Sequence, residues 1–339
     1  MEVGAGHGRL SFLILAELMK AREMWPGAPA DGLPPFRWII SDFSSANFDF
    51  WMSHERLRPF FEAGICLAAT FDATRDNVLT LSDGRRLQPG SLRNPIVAIA
   101  NYVFDTLYQD AFRIVEGQLQ QAYVATYSAS AQRGILDVAA AEEAQRAAAG
   151  ASETTQVPPP QVAPAERDDT AESSQAANDA AGDAVGDAAA AAAADDIANM
   201  RLVWEYRLCD PTSVYDDVHM QAVLRVYAAR LRNASLLIPA GGIRALDTLA
   251  ALAGGRILML CGDKAHNHEE ELTSIRDPHV AVHGSFSMMV NFHAVRLFAL
   301  AKGGFALHTP HLEGFKCSAF VLGLGGPADS VPPPEAGSA

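Results

Sequence analysis

Apolar residues in the first 135 positions form short runs of strand length, separated by segments with helical spacing. Leu10 to Arg22 repeats apolar side chains at intervals of three and four residues, which predicts an amphipathic helix. Three apolar runs predict buried strands, at Phe36 to Ser41, Ile65 to Phe71 and Pro95 to Ala100. Each of these runs is followed by a polar residue. Buried strands that alternate with helices predict a parallel sheet with helices on both faces.

The second half of the chain returns to the same pattern. Val218 to Leu231 and Ile243 to Leu252 have helical spacing, and Arg256 to Cys261 predicts another buried strand. Shorter apolar runs predict strands at Leu202 to Leu208, Val280 to His283, Phe305 to His308 and Ser318 to Leu322. Two turn signals, Asp83-Gly84 and Glu116-Gly117, predict β-hairpins.

Composition sets the middle of the chain apart. Residues 136 to 200 are rich in Ala, Asp, Glu, Ser and Pro and offer few large side chains to bury, which predicts a disordered insertion. The segment from Asp137 to Met200 contains 13 acidic and 2 basic residues, so it carries −11 of the formal net charge of −14. The rest of the chain is nearly neutral, and no basic stripe indicates nucleic acid as a partner.

The four cysteines, Cys66, Cys209, Cys261 and Cys317, lie far apart and form no Cys-x-x-Cys pair. This spacing favours reduced thiols in an intracellular protein, cytoplasmic or mitochondrial, over a zinc site or a redox pair. No apolar stretch reaches the roughly 20 residues that span a bilayer, so no membrane span is expected. Only Met1 to Val3 precede the first glycine turn, which indicates a shortened first strand and the loss of any targeting signal.

A glycine-rich turn stands at the start of the chain, in Glu2-Val3-Gly4-Ala5-Gly6-His7-Gly8. Glycines let the backbone adopt positive φ and approach a ligand closely, and the helix that follows directs its first amides at that ligand. A P-loop needs Gly-Lys-Ser/Thr, which is absent, and a dinucleotide fingerprint places its third glycine one residue later. The spacing Glu-x-Gly-x-Gly-x-Gly resembles instead the first motif of Rossmann-like methyltransferases, which implies S-adenosyl-L-methionine as cofactor.

Polar residues at the strand ends complete this candidate cofactor site. By that resemblance Glu2 faces the methionine end of the cofactor, while Gly4, Gly6 and Gly8 form the turn around it. Asp42 is placed to accept the ribose hydroxyls, and Asp72 to hold the adenine amino group with Phe71 beside it for stacking. Asn101 would border the methyl group. Taken singly, Asp42 and Asp72 are explained equally well as helix-cap or turn residues.

A second motif joins the glycine turn in resembling a named family. It is Ala100-Asn101-Tyr102-Val103-Phe104-Asp105-Thr106-Leu107, and the family is that of the MidA-like methyltransferases, mitochondrial complex I assembly factors and their bacterial relatives. That family has E-x-G-P-G-x-G and A-N-E-F-F-D-A-L-P at the corresponding places. Ile238 to Gly241 and Gly255 to Leu260 are similar to the approach to its fifth strand. The resemblance implies methyl transfer, with protein arginine as the acceptor of the mitochondrial members.

Two departures separate the chain from that family. Tyr102 stands where the family has Glu, and Tyr108 stands where it has Pro. A carboxylate that orients a guanidinium is therefore missing from its usual place. The fold and the cofactor carry over, whereas the methyl acceptor stays unidentified, with a protein side chain as one candidate.

The predicted fold class is α/β: a doubly wound, mostly parallel, seven-stranded Rossmann-like methyltransferase sheet with an added β-hairpin and a disordered insertion. Residues 1–135 are expected to form the cofactor-binding half of one domain and residues 201–323 its second half. Residues 136–200 form the insertion between them. Residues 324–339 form a flexible tail.

A second polar cluster follows the predicted fifth strand, from Asp263 to His268, with His283 and His293 further on. The spacing of these histidines matches no compact ligand motif, so no metal is predicted. His283 is interpreted either as a general base or as a strand-end residue. His293 is either a base or a hydrogen-bonded structural residue on the next helix. Asp263 is either a pocket residue or a local partner of Lys264.

Methyl transfer is an in-line displacement in which the protein aligns the acceptor, excludes water and removes a proton where the nucleophile carries one. Asn101 and Tyr102 are predicted to align the acceptor, with His283 as the catalytic base. The main alternative is a catalytically inactive protein that keeps the cofactor fold as an assembly factor or scaffold. A nicotinamide-dependent oxidoreductase is disfavoured by the glycine spacing.

Overall fold

The computed structural model describes residues 1–21, 36–127, 201–282, 286–310 and 314–323. The predicted insertion 136–200, the predicted tail 324–339 and His283 lie outside these ranges. The chain divides into two compact units. The first comprises Met1–Gln120, Leu208–Arg276 and Met289–Ala339, and the second comprises Gln121–Arg207 and Asp277–Met288.

The strands and helices of the described residues follow the chain in a mixed order. The strands are β1 (Glu2–Val3), β2 (Trp38–Asp42), β3 (Cys66–Thr70), β4 (Leu79–Leu81), β5 (Arg86–Leu87), β6 (Ile96–Asn101), β7 (Asp110–Val115), β8 (Gln118–Tyr127), β9 (Arg201–Leu208), β10 (Ala234–Ile238), β11 (Ile257–His266), β12 (Ala281–Val282), β13 (Phe286–Ser287), β14 (Val290–Asn291), β15 (Phe305–His308) and β16 (Phe315–Leu322). The helices are α1 (Arg9–Lys20), α2 (Ser45–Ser53), α3 (Arg58–Glu62), α4 (Val218–Arg230), α5 (Ala240–Leu252) and α6 (Phe292–Ala301). A short 3-10 helix spans Glu269–Leu272.

A large sheet organises the first unit. Its strand order is β15-β16-β11-β6-β1-β2-β3-β4-β5, and β14 pairs with β11 beside this path. The five central strands, β3-β2-β1-β6-β11, all run parallel. The chain moves outward from β1 in one direction through β2 and β3, and in the other through β6 and β11. The carboxyl ends of β1 and β6 therefore border the topological switch point, where open α/β sheets bind their ligands.

The mixed α/β fold with a large, mostly parallel sheet is confirmed. The sheet joins ten strands within the described residues, more than the seven predicted. The hairpin at Asp83-Gly84 contributes β4 and β5, which extend the edge beyond β3 in antiparallel fashion. At the other edge β16 runs antiparallel between β11 and β15. Residues before and after the predicted insertion share this sheet, since β6 pairs with β11 along Ile96 to Asn101.

Two hydrophobic clusters cover the two faces of the sheet, as the alternation of β2 shows. Trp38 and Ile40 point into a cluster with Leu15 of α1 and Trp51 of α2. The intervening Ile39 packs against the opposite cluster. That second, larger cluster takes in the buried sides of α4, α5 and α6, with Leu224, Leu246 and Phe298 among its members. Helices thus cover both faces of the parallel strands, as a doubly wound sheet requires.

Some elements were not predicted from the sequence. β10 pairs antiparallel with β7 from Ala234–Ile114 to Ile238–Asp110 and was missed, because its five residues lie directly between two helices. The short α3 was also missed. The second predicted hairpin is present, and its turn places Glu116 and Gly117 at φ of 51° and 83°. Among the described residues, no helix is both long and apolar enough to cross a bilayer.

The second unit contains the residues of β8 from Gln121 onward and those of β9 up to Arg207, together with the strands β12 and β13. Ala281 of β12 pairs with Ser287 of β13 in antiparallel register. The hydroxyl of Tyr206 donates a hydrogen bond of 2.7 Å to Asp277 Oδ1. The Arg207 guanidinium lies 4.5 Å from the centre of the Tyr123 ring. These polar contacts link the strand residues of this unit to one another and to the segment that begins at Asp277.

Substitution of Gly8 by Ala is expected to destabilise the fold by about 2 to 4 kcal/mol. Gly8 has φ of 74°, and an added Cβ would lie 2.7 Å from Ile40 Cδ1 and 3.2 Å from the Trp51 indole. The matched control is Gly117→Ala, where φ is 83° and no atom lies within 4 Å of an added Cβ. It is expected to cost only about 1 kcal/mol, from the backbone conformation alone. Urea unfolding of both variants measures the difference, and equal losses would contradict the packing at Gly8.

Candidate cofactor site

The glycine turn between β1 and α1 is folded by backbone conformations that favour glycine. Gly4, Gly6 and Gly8 have φ of 63°, 52° and 74°, all in the left-handed region. The Gly8 amide donates to Ala5 O at 2.8 Å, which closes the turn. Gly8 is also the N-cap of α1, and no side chain caps this helix end. Within the first turn of α1, the backbone amide of Ser11 bonds to the Glu2 carboxylate. The amino end of a helix carries a partial positive charge and suits a polar or anionic ligand group.

Asp42, at the end of β2, forms a hydrogen bond with this turn. Its side chain is 5% exposed, and its Oδ2 accepts a hydrogen bond of 2.9 Å from the Gly6 amide. Its other oxygen accepts from the Ser44 amide at 3.0 Å. An ionised carboxylate offers about four acceptor sites, so two amide donors leave acceptor capacity for further donors such as hydroxyls. The structure therefore brings Asp42 and Gly6 together.

Trp51 supports the same turn from α2. It is fully buried, and its indole N–H donates to Gly6 O at 2.8 Å. The two peptide groups on either side of Gly6 are thus held by one carboxylate and one indole. Sequence reasoning did not predict this hydrogen bond, because the contact joins residues 45 positions apart.

Glu2 lies beneath α1 with an exposure of 5%. Its carboxylate accepts a hydrogen bond from the Ser11 hydroxyl, and this hydroxyl accepts from the Trp38 indole N–H at 2.7 Å. Burial raises the pKa of the Glu2 carboxyl, and the hydrogen bond from Ser11 opposes that rise. The contact with Ser11, in the first turn of α1, links β1 to the helix. The carboxylate predicted to face the cofactor is therefore bonded within the protein.

The turn after β6 forms the opposite wall of the switch point. Asn101 is exposed at the end of β6, and the Tyr102 side chain is 53% exposed. Tyr102 has φ of 53°, and its amide donates to Gly262 O of β11 at 2.8 Å. Val103 packs against the glycine turn so closely that a Cβ on Gly4 would lie 2.8 Å from Val103 Cγ2. The glycine turn and the strand that carries Asn101 therefore meet at one edge.

Asp72 and Phe71 follow β3, on the far side of β2 from the glycine turn. Asp72 Oδ1 accepts from the Thr74 hydroxyl at 2.6 Å and from the Thr74 amide at 2.8 Å. These hydrogen bonds lower the pKa of the Asp72 carboxyl. Phe71 is 2% exposed and belongs to the large hydrophobic cluster. Its ring is therefore enclosed in the protein interior, and stacking on an adenine would require it to move.

Phe43 is an aromatic side chain that the sequence reasoning did not select. It directly follows Asp42 and is 75% exposed, the largest value among the exposed apolar side chains of the described residues. Its position after a strand-end carboxylate is visible in the sequence. Its exposure is not, because neighbouring aromatic residues of the same segment, such as Trp51, are buried.

A pair of acidic residues lies behind Tyr102. Asp263 is 1% exposed in β11, and its Oδ2 accepts from the Asp105 amide at 3.2 Å. Burial and, secondly, the neighbouring Asp105 carboxylate raise the pKa of Asp263 to about 7. Asp263 Oδ1 accepts from the backbone amide of Lys264 at 3.0 Å. Asp263 thus bonds the backbone of Lys264 and borders the turn that carries Tyr102.

The histidines of the second cluster are spread around β11 and α6. His293 is 8% exposed in the first turn of α6, with Nδ1 2.9 Å from the hydroxyl of Tyr227. Burial, reinforced by the nearby Arg296 charge, lowers the pKa of His293 to about 4. This is the geometry of the hydrogen-bonded structural alternative. Across residues 1–21, 36–127, 201–282, 286–310 and 314–323, no group of three or more His, Cys, Asp or Glu side chains is arranged to hold a metal ion.

A cavity of about 480 Å³ lies elsewhere in the first unit, along α5. Its polar lining includes Asp110, Tyr215, Arg244 and Asp247. The Tyr215 hydroxyl donates to Asp110 at 2.8 Å, and Asp247 is bonded to Lys302. None of the residues predicted to bind the cofactor lines this cavity, so its size is no guide to the glycine turn.

Structural neighbours of the chain include two solved structures. One is a COG1565 superfamily member from Burkholderia thailandensis, described as a "likely methyl transferase" and bound to S-adenosyl-homocysteine; it is 13% identical, with a TM-score of 0.41 over 91% of this chain and 57% of its own. The other is an uncharacterized protein of the same superfamily and organism, 12% identical, with a TM-score of 0.46 over 96% of this chain and 74% of its own. The present chain thus spans little more than half the length of the first neighbour.

No model of a protein family matches the chain. A search of curated proteins also found no match.

Replacing His293 by Asn is expected to change how stability depends on pH. The pKa of His293 is about 4 in the folded chain, against roughly 6.5 when unfolded. Because the unfolded chain takes up this proton first, the stability that neutral His293 confers is complete above pH 6.5 and is lost as the pH falls towards 4. The difference in unfolding free energy between wild type and His293→Asn should shrink over that window by up to about 3 kcal/mol.

Urea unfolding at pH 7 and pH 4.5 measures this difference. The control is His279→Gln, at an exposed position, which should follow the wild type at both pH values. A constant difference between wild type and His293→Asn across the window would contradict the assigned burial of a neutral imidazole.

Proposed function

We propose that this chain is an S-adenosyl-L-methionine-dependent methyltransferase with its cofactor at the glycine turn. One observation carries the proposal: Gly4, Gly6 and Gly8 form a turn of positive φ at the topological switch point, and Asp42 holds the middle of that turn through the Gly6 amide. Turns that bind a dinucleotide have a different glycine spacing, with the third glycine one residue later than in this chain. The antiparallel β16 beside β11 also departs from the six parallel strands of the dinucleotide-binding fold.

The residues at this edge fit the chemistry of the cofactor. An added Cβ on Gly6 meets no atom within 4 Å, so a ligand has space to approach its backbone. Asp42 retains acceptor capacity for a pair of ribose hydroxyls. Phe43 offers an exposed ring for an adenine to stack on, and Asp72 a carboxylate for its amino group. Bound there, S-adenosyl-L-methionine would supply an electrophilic sulfonium methyl group.

The acceptor side is assigned to the turn after β6. Asn101 and Tyr102 are exposed beside the glycine turn and would align the nucleophile for in-line attack. His283 keeps its proposed role as the base for a nucleophile that carries a proton. The acceptor itself is unassigned, with a protein side chain as the candidate that the MidA-like resemblance suggests. We also propose that residues 1–135 and 201–323 form one domain around the insertion.

A second function is favoured by one feature, the aromatic Tyr102 in place of a carboxylate. A chain that binds the cofactor without transferring its methyl group would act as an assembly factor or scaffold. Incubation with S-adenosyl-L-methionine carrying a labelled methyl group and a cell extract separates the two. Label in protein or small molecules supports the enzyme, and cofactor binding without any transfer supports the scaffold.

Calorimetric titration tests the cofactor proposal through the Gly6→Arg variant. Wild type is expected to bind S-adenosyl-L-methionine and S-adenosyl-L-homocysteine saturably and NAD not at all. Gly6→Arg should weaken binding at least roughly tenfold, because its side chain would fill the approach to the turn. Gly64→Arg is the matched control, since Gly64 has φ of 67°, equally open surroundings and a place at the amino end of β3.

Failure of a folded wild-type chain to bind either ligand would overturn the proposed cofactor. Equal losses of affinity in Gly6→Arg and Gly64→Arg would show that the effect comes from reduced stability, and this result would contradict a site at the glycine turn. Circular dichroism and a thermal melt on each variant establish that the compared proteins are folded.

Replacing Phe43 by Ala is expected to raise the dissociation constant for S-adenosyl-L-homocysteine roughly tenfold, with little change in stability. The physical reason is the loss of a stacking surface that contributes little to the core, since the ring is 75% exposed. Leu307→Ala, at a side chain that is 63% exposed on β15, should leave the affinity unchanged. An unaltered affinity in Phe43→Ala would remove this residue from the proposed adenine site.

A further inference from the structure

The turn after β6 adopts a conformation that its own sequence does not favour. Tyr102 has φ of 53°, although a bulky aromatic residue rarely occupies the left-handed region. Such a residue persists there only where surrounding contacts determine the backbone. The contacts that hold this turn therefore decide where the Tyr102 side chain stands.

Those contacts come from β11. Gly262 O accepts from the Tyr102 amide at 2.8 Å, and Asp263 Oδ2 accepts from the Asp105 amide at 3.2 Å. The Asp263 carboxylate also interacts with the Phe104 backbone. An added Cβ on Gly262 would lie 2.6 Å from Phe315 Cζ and 2.8 Å from Asn101 Oδ1, so a larger residue there would displace at least one of these side chains. Two consecutive residues of β11 thus hold both ends of the turn, one by its carbonyl and one by its side chain.

Asp263 performs this role from a fully enclosed position. It is 1% exposed, and its bonding partners are the backbone amides of the turn and of Lys264. A buried carboxylate is costly unless donors surround it. The Asp105 carboxylate lies beside it, with an Oδ1 that is shielded from solvent and makes no hydrogen bond in the described part of the chain. The arrangement therefore keeps two acidic side chains together at a position where burying two apolar side chains would cost less free energy.

We propose that Asp263 is a positioning residue that holds the turn from Tyr102 to Asp105 against the glycine turn and so places Tyr102. This inference deepens the proposed function, and it rests on that function for the meaning of Tyr102 as part of the acceptor side. The effect of the buried Asp263 carboxylate on the turn can be measured independently of cofactor binding. Asp263 acts through the backbone of the turn and not on a reacting atom.

The charge state of Asp263 should then be visible at Tyr102. Burial and the Asp105 charge raise the pKa of Asp263 to about 7. The other titratable or charged groups around it are Lys264 on the same strand, the buried Cys261 thiol, and Lys316, which pairs in register with Asp263 on β16. Above pH 7 the carboxylate is ionised and holds the amides most strongly. Below pH 7 the protonated form is a weaker acceptor, and the turn should loosen.

The experiment follows the backbone amide of Tyr102 by NMR in protein labelled with 15N-tyrosine. The chain has seven tyrosines, and the Tyr102→Phe variant assigns the resonance. In wild type this resonance should move with pH between 5.5 and 8, with a midpoint near 7. Asp263→Asn should displace the resonance and abolish its pH dependence. Asp83→Asn is the control, since Asp83 is bonded to Arg85 in the turn between β4 and β5 and should leave Tyr102 as in wild type.

Asp105→Asn provides a second variant that keeps the backbone amide and removes the neighbouring charge. It should lower the pH midpoint of the Tyr102 resonance, because the Asp105 carboxylate raises the pKa of Asp263. If Asp263→Asn does not fold, this variant alone tests the positioning role of Asp263. A Tyr102 resonance with the same position and pH dependence in wild type, Asp263→Asn and Asp105→Asn would overturn the positioning role.

Titration of the same labelled samples with S-adenosyl-L-homocysteine separates this inference from the proposed function. If wild type does not bind the ligand and the Tyr102 resonance still depends on the charge of Asp263, the result supports the positioning role and overturns the cofactor site. A wild type that binds the ligand while Tyr102 is insensitive to Asp263 supports the cofactor site and overturns the positioning role.

Discussion

The hydrogen bond from the Gly6 amide to the carboxylate of Asp42 is the contact on which the proposed site depends. It joins the turn between β1 and α1 to the end of β2, at the centre of the parallel strands. The Trp51 indole completes the support by binding the carbonyl of the same glycine. Because β1 has only two residues, its pairing with β2 and β6 is short. These side-chain contacts therefore add to the backbone bond from the Ala5 amide to Ser41 O in holding the turn at the sheet.

A similar device holds the opposite wall of the switch point. There the buried carboxylate of Asp263 accepts the amide of Asp105, as that of Asp42 accepts the amide of Gly6. The two turns touch where Val103 fills the space left by the missing side chain of Gly4. The candidate edge is therefore bonded to the protein at both turns and open at Gly6, Phe43 and Tyr102.

Much of this architecture follows from local sequence. The periodicity of apolar residues predicted β2, β3, β6 and β11 and the helices α1, α4 and α5, because buried strands and amphipathic helices impose distinct spacings. It missed β10, a five-residue strand between two helices. It also predicted seven strands in the sheet, where ten are joined in the part of the chain that the structure describes. Short strands such as β4, β5 and β14 depend on pairing with a neighbour and have little pattern of their own.

The site was less predictable than the fold, for physical reasons. Glycine spacing revealed the turn, since positive φ favours that residue. The positive φ of Tyr102 gave no such signal, because contacts with β11 impose it. Glu2 and Phe71 were placed by analogy, yet one is bonded to Ser11 beneath α1 and the other is packed in the core. The exposure of Phe43 and the burial of Asp263 depend on tertiary packing. The type of a residue and its place in the sequence do not determine either of them.

The most direct test of the account is the response of the glycine-turn amides to the cofactor, measured by 1H–15N NMR with 15N-glycine labelling. Added S-adenosyl-L-methionine should shift the resonances of Gly4, Gly6 and Gly8 saturably and together, with one dissociation constant, while NAD leaves them in place. A folded protein whose glycine-turn resonances stay fixed in S-adenosyl-L-methionine would contradict the central claim that this turn is the cofactor site.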